Sequence, residues 1–126
     1  MQTILAIAAG GAIGSVVRHL LNNGVAAFVP SGFPWGILAC NVIGSTLMGV
    51  LIGVFALSAE ASAPWRAFLM VGVLGGFTTF SAFSADTILL WERGAFTQAA
   101  LYVALSVGLS LAGLVAGLAC VRGILS

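Results

Sequence analysis

Long apolar stretches, interrupted by short polar or glycine-rich breaks, set the pattern of the chain. Four can be marked, over about 3–21, 34–57, 65–91 and 96–124. Each is near or above the roughly 20 residues that a helix needs to cross the hydrocarbon core of a bilayer. The connections between them are brief. Asn22-Asn23-Gly24 and the stretch that follows, with Pro30-Ser31-Gly32, read as a loop with one interfacial turn. Residues 58–64 read as a small polar loop, and Trp91-Glu92-Arg93-Gly94 as the last turn. Pro34 suits the first turn of a helix. Trp35, Trp65 and Trp91 all fall at segment ends, where aromatic side chains anchor at the headgroup level. The pattern predicts an all-α integral membrane protein, a single transmembrane domain over 1–126 with four helices.

The third segment carries the strongest local signal, Gly75-Gly76-Phe77-Thr78-Thr79-Phe80-Ser81-Ala82-Phe83-Ser84. Two adjacent glycines and four hydroxyl residues make a poor uninterrupted helix. They predict a glycine break near 75–79, whose freed carbonyls bind a cation or line a cavity. Small residues also recur at helix-packing spacing. Gly10 with Gly14, Gly49 with Gly53 and Gly113 with Gly117 form GxxxG pairs, and Ala104, Gly108, Ala112 and Ala116 add a stripe in the fourth segment. Such residues let backbones approach closely in lipid, within a bundle or between copies.

Composition sharpens the picture. Apolar residues make up 61% of the chain and charged residues 6%, against about 25% charged in a soluble domain. The charges, Arg18, Arg66, Arg93, Arg122, Glu60, Asp86 and Glu92, are scattered, and lysine is absent. With no basic patch, nucleic acid is not expected as a partner. Cys40 and Cys120 lie inside apolar stretches and read as small buried hydrophobes. Met1-Gln2-Thr3 lacks the positive charge of a signal peptide, so the first segment is expected to be retained as a membrane helix.

Four crossings bring both ends to one side of the membrane. Arg66 and Arg122 then lie on that side, and Arg18 and Arg93 on the other. Orientation follows the bias of positive residues, and two against two is no bias. A chain of this kind inserts both ways up, which would supply two halves of an antiparallel dimer. If Arg18 lies too deep to count, a weak preference survives.

Polar groups inside a bilayer need a partner or a role. Asn41, followed by Ser45 and Thr46, fits either interhelical hydrogen bonding or contact with a permeant species. Tyr102, Ser106 and Ser110 recur at i, i+4 and i+8, which lines three hydroxyls along one helix face. A lone serine bonds back to its own helix, whereas three in register suggest a polar track. Neutral donors of this sort hold an anion weakly enough to release it, as conduction requires. Phe80 and Phe83 share a face, and a ring edge is the positive end of its quadrupole. They fit either packing against lipid or edge-on contact with an anion. Arg18 fits snorkelling to the headgroups or an electropositive vestibule. His19 reads as interfacial, Asp86 as a partner for an arginine or a cap for the break, and Glu60 and Glu92 as solvated loop residues.

At these residues the chain closely resembles the fluoride channel family known as Fluc or CrcB. Gly10-Gly11 with Gly14 and Arg18 is similar to that family's first helix. Gly36-Ile37-Leu38-Ala39-Cys40-Asn41 resembles its second-helix motif, and the glycine-to-serine stretch of the third segment resembles its most diagnostic one. The Tyr102, Ser106 and Ser110 spacing is similar to its fourth helix. The resemblance implies an antiparallel, dual-topology homodimer in the cell (inner or plasma) membrane, with two pores. Phe80 and Phe83 would meet fluoride through ring edges. Asn41 would orient or bond the ion, and Tyr102, Ser106 and Ser110 would form the track, with Thr79, Ser81 and Ser84 also along the pore. Carbonyls of Gly75 and Thr78 from both copies would hold a central structural sodium ion, and Arg18 would sit at a vestibule. The implied role is passive efflux of fluoride that enters as hydrogen fluoride. Three positions depart from the family's pattern: Ile37 and Ala82 stand where threonine is expected, and Asp86 where glutamate is expected.

Rival classes fit less well. A small multidrug transporter needs a carboxylate in its first helix, and this one has none. A non-conducting assembly subunit explains the glycine pairs but not the hydroxyl ladder beside a break. One histidine and scattered acids assemble no nucleophile–base pair or metal cluster, so the chain is not expected to be an enzyme.

Overall fold

The computed structural model describes residues 1–29, 31–58 and 60–125; Pro30 and Ala59, which the sequence reading puts in the two short loops, and Ser126 lie outside them. Among the described residues every long element is helical, and four spans are long and apolar enough to cross a membrane. They are α1 (Gln2–Phe28), α2 (Trp35–Leu57), a composite third span and α6 (Phe96–Leu125). The protein is therefore a multi-pass membrane protein. The third span begins with α3 (Ala63–Arg66), runs through a π-helical stretch (Ala67–Val73) into α4 (Leu74–Phe77), and resumes as α5 (Phe80–Glu92).

The first helix is longer than its apolar pattern. It continues past residue 21, through Asn22, Asn23 and Gly24, to Phe28. Asn23 bonds His19 one turn back at 3.2 Å, so the polar pair is absorbed on the helix surface instead of ending it. At 1.5 Å per residue, 27 residues span about 40 Å, so the end of α1 clears the hydrocarbon and enters the headgroup zone.

The interruption of the third span falls on Thr78 and Thr79, while Gly75 and Gly76 are helical. Gly76 has a different task, which it shares with Gly72. A Cβ on Gly76 would stand 2.7 Å from Gly11 O, and one on Gly72 would stand 2.9 Å from Gly10 Cα. Glycine faces glycine where α1 crosses the third span. The GxxxG pairs pack within the chain in the same way: Gly10 and Gly14 against the third span, Gly49 and Gly53 against α6, and Gly113 and Gly117 against α2. The stripe of Ala104, Gly108, Ala112 and Ala116 is exposed.

Helix ends are closed by named groups. Ser62 caps α3, accepting from Trp65 N. Arg66 donates to Ser58 O at 2.8 Å and Phe55 O at 3.4 Å, placing a cation at the negative end of α2. Gly94, at φ 77°, takes the left-handed conformation that ends α5. The core lies among α2, α5 and α6, where Ile37, Leu38, Phe83, Leu90, Ala99 and Tyr102 pack together.

Candidate functional site: a charge-free groove at the helix break

Two extended residues in the middle of a membrane helix leave backbone groups that lipid cannot satisfy. The chain satisfies them with side chains. Thr78 Oγ1 donates back to Leu74 O at 2.9 Å. Thr79 Oγ1 accepts from Ala82 N at 3.0 Å and so caps α5. From α2, the Asn41 carboxamide grips the Thr79 peptide at both ends: Thr79 N donates to Oδ1 at 2.8 Å, and Nδ2 donates to Thr79 O at 3.2 Å. An amide carries two N–H groups, so one Asn41 donor remains.

Around this break lies a groove of about 330 Å³. Asn41 and Ser45 line it from α2, Thr78 and Thr79 from the break, Phe80 and Phe83 from α5, and Ser106 and Ser110 with Val107 and Leu111 from α6. No charged side chain is among these lining residues. The two phenylalanine rings meet at 5.4 Å, tilted by 53°. Phe83 is 9% exposed and Phe80 78%, so one ring forms the inner wall and the other an open lip. Ser106 is buried, and its Oγ has no hydrogen-bond partner among the described residues. Leaving a buried hydroxyl unpaired costs free energy, and this one borders the groove.

The remaining candidates divide. Tyr102 is fully enclosed on the far side of Phe83, at 5.2 Å between rings, and donates to Asp86 Oδ2 at 3.1 Å. It backs the wall without lining the groove, and the Asp86 partner is a phenol, neither an arginine nor the break. Ser84 donates back to Phe80 O at 2.9 Å, and Ser81 is exposed with its Oγ 3.1 Å from Thr79 Oγ1. Neither borders the groove. Thr46 back-bonds to Val42 O at 2.8 Å.

Arg18 is half-buried and bonds to the third span. Its Nε donates to Gly76 O at 3.1 Å, setting a cation at the carbonyl end of the first half of the third span. It borders a second cavity of about 310 Å³ together with Ser15, His19, Asn22, Ile37, Ala82 and Asp86. All three departures from the family pattern are thus neighbours in one place. Sequence reasoning set Asn22 in a loop, since only the extension of α1 brings it there, and gave Ser15 no role.

Residues 5–118 match the profile of the family described as CrcB-like protein, Camphor Resistance (CrcB). The chain belongs to the CrcB family. A relative from Cereibacter sphaeroides is 54% identical over 98% of this chain and 97% of its own length, and one from Rhodospirillum centenum is 53% identical over 97% of each. A relative from a Ruegeria species is 50% identical over 98% of each. All three carry the name fluoride-specific ion channel FluC. The relatives of this CrcB-family chain are thus channels by name, and none of the three is an enzyme.

Proposed function

We propose that the chain is a fluoride-selective ion channel of the cell membrane, through which fluoride leaves passively and its toxicity is relieved. The observation that carries this reading is the groove itself. It holds a buried hydroxyl with no partner among the described residues, a spare amide N–H and two phenylalanine rings, and its lining has no fixed charge. Such a wall replaces the water around a small anion without trapping it. The relatives' names supply the ion.

The groove is open on one side, and Phe80, Gly75 and the small-residue stripe of α6 are exposed. These features support an antiparallel homodimer, inserted in both orientations, in which each copy closes the other's groove to give two pores, with lipid around the rest. Gly75 and Thr78 fit a central sodium ion. Thr78 has left the helix, at φ −88° and ψ 156°. Gly75 is exposed, and a Cβ on it would meet only Met70 O, at 3.7 Å. Carbonyl oxygens at the negative end of a helical half suit a hard cation. One chain offers too few for the roughly six oxygens such an ion takes, and a second copy would supply the rest. The ion would neutralise both helix ends.

The test is fluoride efflux from liposomes, with chloride as control. Phe80→Ile and Phe83→Ile should each lower fluoride flux by about tenfold or more, the factor that 1.4 kcal/mol of lost stabilisation gives, while the protein still purifies folded. Undiminished flux in both variants would remove the rings from the pathway, and a wild-type protein that passes no fluoride would end the channel reading.

A further inference from the structure

Tyr102 stands behind the groove wall with little freedom left. Its backbone is fixed in α6, its hydroxyl is held by Asp86, and Phe83 covers one side of its ring. What remains is rotation about the long axis of the ring. A second aromatic blocks that rotation. Phe33, from the connection between α1 and α2, meets Tyr102 at 5.5 Å with the ring planes at 89°. Phe33 does not line the groove, and it is anchored from outside. Trp35 packs on it at 4.6 Å, and Arg93, beyond the end of α5, donates to the neighbouring Gly32 O at 2.9 Å. Trp35, Phe33, Tyr102, Phe83 and Phe80 therefore form an unbroken column of rings from the first residue of α2 to the lip of the groove.

We propose that Phe33 is a positioning residue for the conducting groove: seated edge-to-face against Tyr102, it fixes the tilt of Tyr102 and through it that of Phe83, and the Arg93–Gly32 hydrogen bond keeps it seated. The inference rests on the fluoride channel reading. Tilt matters because a ring edge attracts an anion and a ring face repels it. A Phe83 ring free to turn would show its face for part of the time and lose both rate and discrimination.

The experiment compares wild type, Phe33→Leu, Phe33→Tyr and Arg93→Gln in liposomes, measuring fluoride efflux, the fluoride-to-chloride ratio and the melting temperature. Phe33→Leu keeps apolar bulk and removes the ring. It should lose flux roughly three- to tenfold, the factor that corresponds to the orientation energy of an aromatic pair, with a lower fluoride-to-chloride ratio. Phe33→Tyr should restore both, since position 33 borders cavities of about 330 and 80 Å³ with space for a hydroxyl. Arg93→Gln, at an exposed residue outside the groove, should show a smaller loss of the same kind. Wild-type behaviour in Phe33→Leu, or equal losses in the leucine and tyrosine variants, would overturn the inference and leave the channel reading intact. A silent wild type would overturn both. If Phe33→Leu does not fold, Arg93→Gln decides alone, and an unchanged ion ratio there refutes the proposal.

Discussion

Asn41 gives the peptide of Thr79 what an adjacent strand would give it in water-soluble folds: an acceptor for its N–H and a donor for its C=O. In a bilayer neither group has another source. Asn41→Leu should therefore strand both, at about 1–3 kcal/mol each, and detergent melting should fall markedly along with flux. Asn41→Asp keeps the acceptor and sets a negative charge on the wall. Its flux should collapse by far more than its melting temperature does, and parallel losses would deny the groove an anion. The serines make the sharper contrast. Ser106→Ala deletes a buried hydroxyl that bonds to nothing among the described residues, so melting should hold or rise while fluoride flux drops. Ser84→Ala deletes a hydroxyl already bonded to Phe80 O, and flux should stay. A Ser106→Ala protein with full flux would take the hydroxyl out of the path. Residue types of this kind could be picked from the sequence, since Asn41 and Ser106 carry polar groups into oil. Their partners could not, because Thr79 is 38 positions from Asn41 and no local pattern links them. The bond of Ser84 to Phe80 O could not be read for the same reason: a back-bonded serine and a pore serine are one letter.

At the level of helices, glycine acts by omission. Where α1 crosses the third span, a methyl on Gly10 would press on backbone, 2.9 Å from Val73 N and 3.0 Å from Gly72 Cα. Backbone cannot rotate aside as a side chain can. Gly10→Ala should separate the two helices and cost about 1–3 kcal/mol or more, read as a lower melting temperature. Gly108→Ala, where a Cβ would meet nothing within 4 Å, should leave the folded chain's own packing alone. Equal effects at the two sites would mean that the crossing is looser than drawn. Spans and tryptophan anchors could be read from the sequence because hydropathy over a long window is a strong signal. The end of α1 and the site of the break could not. Both depend on whether a polar residue finds a partner, across the bundle as Thr79 does in Asn41 or one turn back on its own helix as Asn23 does in His19. Gly75-Gly76 signalled an irregularity in the right segment, yet the helix runs through it, because Gly76 is there for α1 and the threonines make the bend.

For the whole molecule, the strongest constraint is what a single copy leaves undone. Its groove is open along one side, a large phenylalanine projects at the lip, and α6 shows small residues to the outside. A copy rotated in the membrane plane would cover these features, and balanced arginines would allow both insertions from one sequence. Orientation set by a few charges can be forced by a few more. Gln2→Lys with Glu60→Lys adds positive charge on the side of the chain ends, and Thr97→Lys with Gln98→Lys adds it at the opposite turn; all four positions are exposed. Each pair should commit the chain to one orientation, seen by labelling an engineered cysteine from one side only, and each alone should lose fluoride flux because no inverted partner exists. Co-expression of the two should restore it. If either pinned form conducts fully by itself, the pore does not need an inverted copy, and the open groove must be closed by lipid or by a parallel neighbour.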